Sequence, residues 1–349
     1  MKCGPLGLLL LVVAVALGVA SDLSSDGPKN PDRADQAVVL WEMRVTETAA
    51  LRAKVVATVD CGEMVTVLGP REERKARVKA NGATGWVHLE GLVELSAPGA
   101  DARLLAAAHE KEMPSHWSRE PEHLAALALY SRHMEIFPDS EYAALALYRF
   151  GQAADRLAVE AIREAEQQLT QEQRAYDRAY TDWQGLEKYA KWGLTFDYSH
   201  LGGYYFHGGA VYRKVAERHG DSEWADNAAF RLLELVGEQG GGWEGHPQEP
   251  LKKLDLWAEF VRKYPRSELK PEALLEMVYL NRVLHEIHSH STAGFADPGK
   301  AERRLEAART LCDTVRREFP STIFAARAER HLAELAEGRH VYLFGAGID

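Results

Sequence analysis

The sequence predicts a multidomain protein in which a small all-β domain is followed by an all-α domain of repeated helical pairs. Short β-branched runs separated by turn signals lie between residues 37 and 96. From residue 120 onward, apolar residues return every three or four positions, which is the period of an amphipathic helix. A corner motif also recurs four times within that helical part, which we assign to residues 120–349.

Each corner combines an aromatic or His residue, a Pro or Gly, and then a Ser or Thr. Pro disfavours helical geometry in the residue before it, so the first helix ends there. The Ser or Thr oxygen is expected to accept hydrogen bonds from the first N–H groups of the next helix. Repeated corners are typical of an α-solenoid, in which neighbouring pairs bury one another's apolar faces. The copies are 136–143, 218–225, 263–269 and 318–325.

The totals exclude some classes of protein. The chain has 349 residues and a formal net charge of −10, which argues against a general nucleic-acid binder because such proteins need a basic surface. The basic residues near position 75 are interleaved with Glu72 and Glu73, and we interpret them as part of a solvated strand and loop. They are Arg71, Arg74, Lys75, Arg77 and Lys79. The three cysteines are too few for a disulfide framework.

The N-terminal 36 residues carry the signals of export. Residues 1–20 combine Lys2, an apolar run of about a dozen residues and a small-residue end, which predicts a signal peptide cleaved after Ala20. The alternative, an uncleaved anchor, is disfavoured because a bilayer span needs roughly 20 apolar residues. Residues 21–36 are polar and predict a disordered linker. We expect no stable membrane span after cleavage.

Five runs predict a small β-barrel over residues 37–96. Asn81-Gly82 is the residue pair that a type I′ hairpin favours. Residues 97–119 are predicted to be a linker that contains a short helix at 102–112. The five runs are 38–45, 54–59, 64–68, 76–79 and 84–88.

Segments 43–45, 53–59, 62–68 and 81–88 resemble a bacterial SH3 domain, most clearly in the closing Gly-Ala-Thr-Gly-Trp-Val sequence that contains Trp86. The resemblance implies an SH3-like barrel that acts as a non-catalytic binding module for a peptide or for peptidoglycan. The chain lacks the family's usual Arg-x-Gly-Pro after the first strand, so its first loop differs. Trp86 is a candidate ligand-binding residue, and the alternative is a core or rim residue fixed by packing.

The corners at 137–143, 264–267 and 319–322 resemble those of tetratricopeptide-type repeats in bacterial envelope proteins, such as the β-barrel assembly lipoprotein and the Tol-Pal coordinator. The resemblance implies a solenoid that binds envelope proteins or peptides. Successive corners are 82, 45 and 55 positions apart, whereas regular units repeat about every 34 residues. The array is therefore irregular and contains insertions.

The largest insertion spans about residues 160–211. Residues 161–191 predict a charged helical stretch, whereas residues 192–206 are rich in Gly and aromatic residues. Tyr204 and Tyr205 are candidate partner-binding residues, because exposed aromatic side chains often dominate binding surfaces. The alternative is a connection that packs its own rings.

Few residues suggest chemistry. His285, His288 and His290 have a spacing that can bind a metal, but we favour a solvated helix end, because imidazoles near a helix C-terminus interact well with the helix dipole. Cys312 lies on an apolar stripe and is predicted to be a small core residue, and Cys61 has no neighbouring base that would make it reactive. The sequence contains no nucleophile elbow, phosphate-binding loop or metal-binding cysteine pair. We expect no catalytic residues, no metal and no cofactor.

Together these features predict a non-catalytic scaffold or adaptor, secreted across the inner membrane into the periplasm or cell envelope of a bacterium. It would bind protein partners through the helical repeats and a peptide or cell-wall ligand through the barrel. The alternative is a cell-wall hydrolase, or its accessory subunit, that uses the barrel for targeting. That alternative requires a carboxylate or His with a perturbed pKa in a cleft.

Overall fold

The computed structural model describes residues 35–72, 74–114, 122–168, 184–199, 204–238, 246–291 and 294–341. The predicted signal peptide and nearly all of the predicted linker lie outside these residues. The chain forms two compact units, one of residues 1–198 and 204–211 and the other of residues 199–203 and 212–349. Each unit is described by itself.

An antiparallel sheet of seven strands opens the first unit, in the order β3-β2-β6-β5-β4-β1-β7. The predicted run 38–45 is two strands, because residues 40–42 form a turn in which the Leu40 N–H donates to the Gly91 carbonyl. The last strand was missing from the prediction. The strands are β1 (Gln36–Val39), β2 (Met43–Thr46), β3 (Val55–Val59), β4 (Met64–Glu72), β5 (Lys75–Ala80), β6 (Ala83–His88) and β7 (Leu92–Glu94).

The sheet curls around a single apolar core. Val59 on β3 and Leu92 on β7 belong to the same buried cluster although their strands lie at opposite ends of the sheet order. The predicted type I′ hairpin is confirmed between β5 and β6, since Asn81 and Gly82 have φ values of 50° and 79°. This hairpin sets the β5–β6 register and thereby decides which side chains of the two strands face outward.

Helices α1 (Ala100–Glu112), α2 (His123–Ile136) and α3 (Ala143–Gln168) complete most of the first unit. Helix α2 contacts the turn between β3 and β4. The Arg132 side chain donates to the Gly62 carbonyl over 2.9 Å, and a Cβ added at Gly62 would lie 3.0 Å from the Cβ of Ala128. The sheet and the first helices therefore share one compact unit.

The predicted insertion contains a hairpin that the sequence analysis did not anticipate. After α3, the chain forms a 3₁₀-helix at Gln184–Trp192 and then strands β8 (Phe196–Ser199) and β9 (Tyr204–His207). These two strands form a separate two-stranded sheet, and β9 packs against α3. Part of the predicted charged helix, residues 169–183, lies outside the described residues.

Six helices follow within the described residues, and the first of them begins at the end of the first unit. Helix α7 is central: Leu280 and Leu284 pack in a cluster with α5 and α6, whereas Leu275 and Val278 pack in a second cluster with α8 and α9. Since α7 is buried on two sides, it is apolar around most of its circumference. The helices are α4 (Ala210–Arg218), α5 (Ala225–Glu238), α6 (Gln248–Lys263), α7 (Lys270–His290), α8 (Pro298–Glu318) and α9 (Ile323–Ala336).

All four predicted corners separate two helices. The predicted capping is confirmed at the last corner, where the Thr322 hydroxyl accepts a hydrogen bond from the Ala325 N–H over 3.2 Å. At two further corners the serine hydroxyl accepts from the N–H of the residue just before the next helix, Ser140 from Tyr142 and Ser267 from Leu269, each over 3.1 Å. The prediction is wrong at Ser222, whose hydroxyl donates to the His219 carbonyl instead. At these three corners an extra turn lies between the serine and the next helix, because each serine N–H donates to the aromatic or His carbonyl three residues earlier. These serines are Ser140, Ser222 and Ser267.

Among the helices that the structure describes, none is both long and apolar enough to cross a bilayer.

Candidate functional site

Trp86 lies on β6 and faces away from the core of the sheet. Its neighbours along the strand, Gly85 and Val87, are buried, whereas Trp86 itself is only partly buried. Its cross-strand partners are Arg77 on β5 and Thr46 on β2. Strand β2 passes so close that a Cβ added at Gly85 would lie 2.5 Å from the Thr46 carbonyl oxygen. At Gly85 the β2 and β6 strands therefore come close together, and at Trp86 an aromatic ring faces outward from the sheet.

Four cations surround Trp86 on the same outer face of the sheet. On β5, three of them alternate with buried residues, because successive side chains of a strand point to opposite faces. The fourth is exposed on β2, two residues before Thr46. We call this surface the basic sheet face and define it by Arg44, Lys75, Arg77, Lys79 and Trp86.

The fold separates charges that are interleaved in the sequence. Arg71 forms an ion pair with Glu94 at 2.5 Å and Arg74 forms one with Glu90 at 3.5 Å, so each of these two cations has an acidic partner. Glu72 lies directly opposite Lys75 across the strands, so among the described residues it is the one acidic residue placed beside a cation of the basic sheet face by the β4–β5 register. Within the described part of the chain, none of the four cations of the basic sheet face has a carboxylate oxygen within 4.0 Å.

Tyr204 and Tyr205 lie on β9, but their side chains are outside the described part of the chain. Other rings of the insertion pack against one another: Tyr189 stacks on Trp192 and contacts Phe196 edge-on, each at 6.1 Å between centroids. These described rings match the packed-connection alternative, whereas the role of the two tyrosines stays a prediction.

The histidines near the end of α7 hold a helix connection. His288 is buried and donates through Nδ1 to the Phe295 carbonyl, and His285 donates to the Ala301 carbonyl, both over 2.9 Å. His290 alone is exposed. The solvated helix end is therefore wrong for His288. A search of the described residues for three His, Cys, Asp or Glu side chains placed to hold a metal ion finds no such group.

Both described cysteines have pKa values above their ordinary range because they are buried. Burial raises the pKa of Cys312 to about 11, and its side chain is fully buried, which confirms the predicted core role. Burial raises the pKa of Cys61 to about 12, and its thiol donates to the Leu40 carbonyl. Neither thiol is a thiolate at neutral pH.

A buried ionic cluster joins α1, α2 and α3. Tyr130 donates to the fully buried Glu112 carboxylate over 2.7 Å, and Arg156 and Arg149 lie 3.2 and 3.7 Å from the same group. Burial by itself would raise the pKa of Glu112, but a hydrogen bond from His109 and the two guanidinium charges hold it below its ordinary value. The cluster interlocks the three helices.

A pocket of about 220 Å³ lies among α5, α6 and α7, and we call it the helical pocket. Its apolar side is preorganised by aromatic packing, since the Phe230 ring contacts Trp257 edge-on at a centroid distance of 4.9 Å. Charged side chains form the other side. The lining residues are Phe230, Leu233, Glu234, Lys253, Trp257, Glu272, Glu276, Tyr279 and Leu280.

Two of the three lining carboxylates have ion-pair partners outside the pocket lining. Glu234 pairs with Arg231 at 3.0 Å, and Glu272 pairs with Arg327 at 3.5 Å. Glu276 has neither a hydrogen bond nor an ion pair with any residue that the structure describes. Among the described residues, it is therefore the lining carboxylate of the helical pocket without a hydrogen-bond or ion-pair partner.

Burial raises the pKa of Glu276, and the neighbouring charges of Glu272 and Glu234 raise it further, although Arg327 and Lys253 oppose this. Burial likewise lowers the pKa of Lys253. A cation that entered the helical pocket would stabilise the charged form of Glu276 and lower its pKa. No local motif marks this site in the sequence, because its residues come from three helices.

Comparison of the chain with protein-family models finds no match, and comparison with curated proteins finds none either.

Proposed function

We propose that the protein is a non-catalytic scaffold or adaptor of the bacterial cell envelope and that its helical pocket receives a basic side chain of a protein partner. The observation that carries the proposal is Glu276, a carboxylate without a described partner on the wall of a preorganised pocket. An ammonium or guanidinium group would supply that partner as a charge-assisted hydrogen bond.

The size and lining of the helical pocket suit one side chain. Its volume of about 220 Å³ is below the roughly 300–1,000 Å³ of pockets that enclose drug-sized ligands or cofactors. Trp257 and Tyr279 line the pocket, where aromatic rings can pack on the methylene groups of a lysine or arginine and also attract its charge. A basic residue at the surface of a partner fits these features.

We further propose that the sheet is an SH3-like barrel and that the helices form an irregular tetratricopeptide-like solenoid. The closing hairpin at Asn81-Gly82, the Gly85-Trp86 pair and the curled sheet support the first assignment. The repeated corners and the central position of α7 support the second. On this assignment the sheet is a second binding module, for a peptide or a cell-wall ligand, in an exported protein.

The pocket proposal is tested with labelled peptides that carry a central lysine, or norleucine in its place, by fluorescence anisotropy on the full chain. We expect the lysine peptide to bind and Glu276→Gln to weaken it about tenfold or more, because a hydrogen bond to a charged group is removed. Glu268→Gln is the matched control, since Glu268 is exposed and outside the pocket. Equal binding of both peptides would contradict the proposal.

The cell-wall hydrolase alternative keeps one observation in its favour, which is the raised pKa of Glu276 beside further carboxylates. Incubation of the protein with purified peptidoglycan, followed by analysis of released fragments, decides between the two functions. We expect no release. Fragment release that Glu276→Gln abolishes and Glu268→Gln leaves intact would overturn the scaffold proposal.

Export has its own test. N-terminal sequencing of the protein recovered from cells is expected to begin at Ser21, and an intact Met1 in the membrane fraction would contradict the proposed signal peptide.

A further inference from the structure

We propose that the basic sheet face binds an acidic peptide segment in an extended conformation, with Trp86 as its central apolar contact. This inference rests on the proposal that the sheet is a binding module and names the chemical class of its ligand. It uses none of the residues of the helical pocket.

The charge balance of the basic sheet face is the first argument. Arg77 and Lys79 are exposed and point outward from β5, and neither has a carboxylate within ion-pair distance among the described residues. Arg44 on β2 is likewise exposed and has no such carboxylate among the described residues. The whole chain nevertheless has a net charge of −10. A local excess of cations on an acidic protein attracts an anionic partner to that surface and repels one elsewhere.

The spacing of the cations is the second argument. Arg77 and Lys79 are two residues apart on one strand, so their side chains emerge about 6.8 Å apart, given a rise of about 3.4 Å per residue. An extended peptide presents every second side chain on one face with the same repeat. Acidic residues at alternate positions of such a peptide therefore match Arg77 and Lys79 one to one.

Trp86 is the third argument. It lies directly opposite Arg77 across the strands, and its ring is partly exposed on the basic sheet face. An apolar side chain of the bound peptide can cover this ring, which a chain of phosphates cannot do. A phosphate polymer also needs many cations to gain affinity by counterion release, whereas this face carries only four. The observations therefore favour a peptide.

The test uses a labelled peptide of alternating Glu and Val residues and a matched peptide of alternating Gln and Val, titrated with the full chain at low salt. We expect only the acidic peptide to bind. The double variant Arg77→Gln with Lys79→Gln is expected to weaken it by roughly fivefold or more, since two ion pairs are lost. Arg74→Gln is the charge-matched control, because Arg74 is exposed, lies in the turn before β5 and already pairs with Glu90.

Three results would overturn the inference: equal binding of both peptides, an unchanged affinity in the double variant, or tighter binding of inorganic polyphosphate than of the acidic peptide. Melting temperatures of the variants are measured in parallel, because these exposed positions are expected to leave folding unchanged. The Glu276→Gln protein should bind the acidic peptide normally, which separates a failure here from a failure of the helical-pocket proposal.

Discussion

The basic sheet face and the helical pocket place charge in two physically different ways. On the sheet face, exposed cations such as Arg77 stand on a paired strand and are surrounded by water. In the helical pocket, Glu276 is partly buried beside aromatic rings, and burial raises its pKa. Exposed charges each contribute little and are screened by salt, whereas a buried unpaired carboxylate is sensitive to pH. The two surfaces should therefore respond to different variables.

A buried charged group that already has partners is a third case, and its removal is expected to have the largest effect on stability. Arg282 on α7 is buried and donates to Glu334 over 2.6 Å and to the Arg339 carbonyl over 3.0 Å. Removing one partner of a buried ion pair costs about 3–5 kcal/mol. We expect Arg282→Ala to lower the free energy of unfolding by roughly that amount in urea titrations, and Arg330→Ala, at an exposed position of α9, to change it by under about 0.5 kcal/mol.

The second prediction separates the two surfaces by pH. The raised pKa of Glu276 means that its charged form is lost as the pH falls through that pKa, so the lysine peptide should bind severalfold more weakly at about pH 5 than at about pH 7.5. Glu276→Gln should remove this dependence. Anisotropy titrations at the two pH values provide the measurement. A pH effect that survived in Glu276→Gln would assign it to another group.

The third prediction concerns the stability of the folded chain itself. Because the folded-state pKa of Glu276 is raised, its contribution to stability is fully present below the unfolded-state value and is lost as the pH rises through the folded-state pKa. Gln carries no such penalty. We expect Glu276→Gln to raise the melting temperature at neutral pH and to change it less at about pH 4. A lower melting temperature at neutral pH would show that the carboxylate is stabilising.

The fourth prediction separates the surfaces by salt and carries the smallest effect. The Debye length, over which charges interact in solution, falls from about 10 Å at 0.1 M salt to about 3 Å at 1 M. Binding of the acidic peptide to the basic sheet face should weaken steadily over this range, and binding of the lysine peptide to the partly buried Glu276 should weaken less. Parallel titrations of the two peptides test this. Identical salt slopes would remove the distinction between the two surfaces.

Local rules account for what the sequence by itself determined. Pro138, Pro265 and Pro320 mark helix ends because proline restricts the residue before it, and this constraint acts whatever surrounds it. Asn81 and Gly82 form the predicted hairpin because both tolerate positive φ. The apolar period correctly placed Cys312 in a core. The order of sheet and helices followed from such signals, each contained within a few residues.

Tertiary structure decided everything that depends on which distant residues meet. Acidic and basic residues are interleaved in the sequence between Glu72 and Arg77. Only the strand register and the ion pairs of Arg71 and Arg74 show that cations predominate on the outer face of the sheet. Likewise, Glu276 is a partly buried carboxylate with no ion-pair partner among the described residues because of how three helices pack around it. Burial and pairing are properties of the packed chain, and no local pattern encodes them since the residues involved lie tens of positions apart.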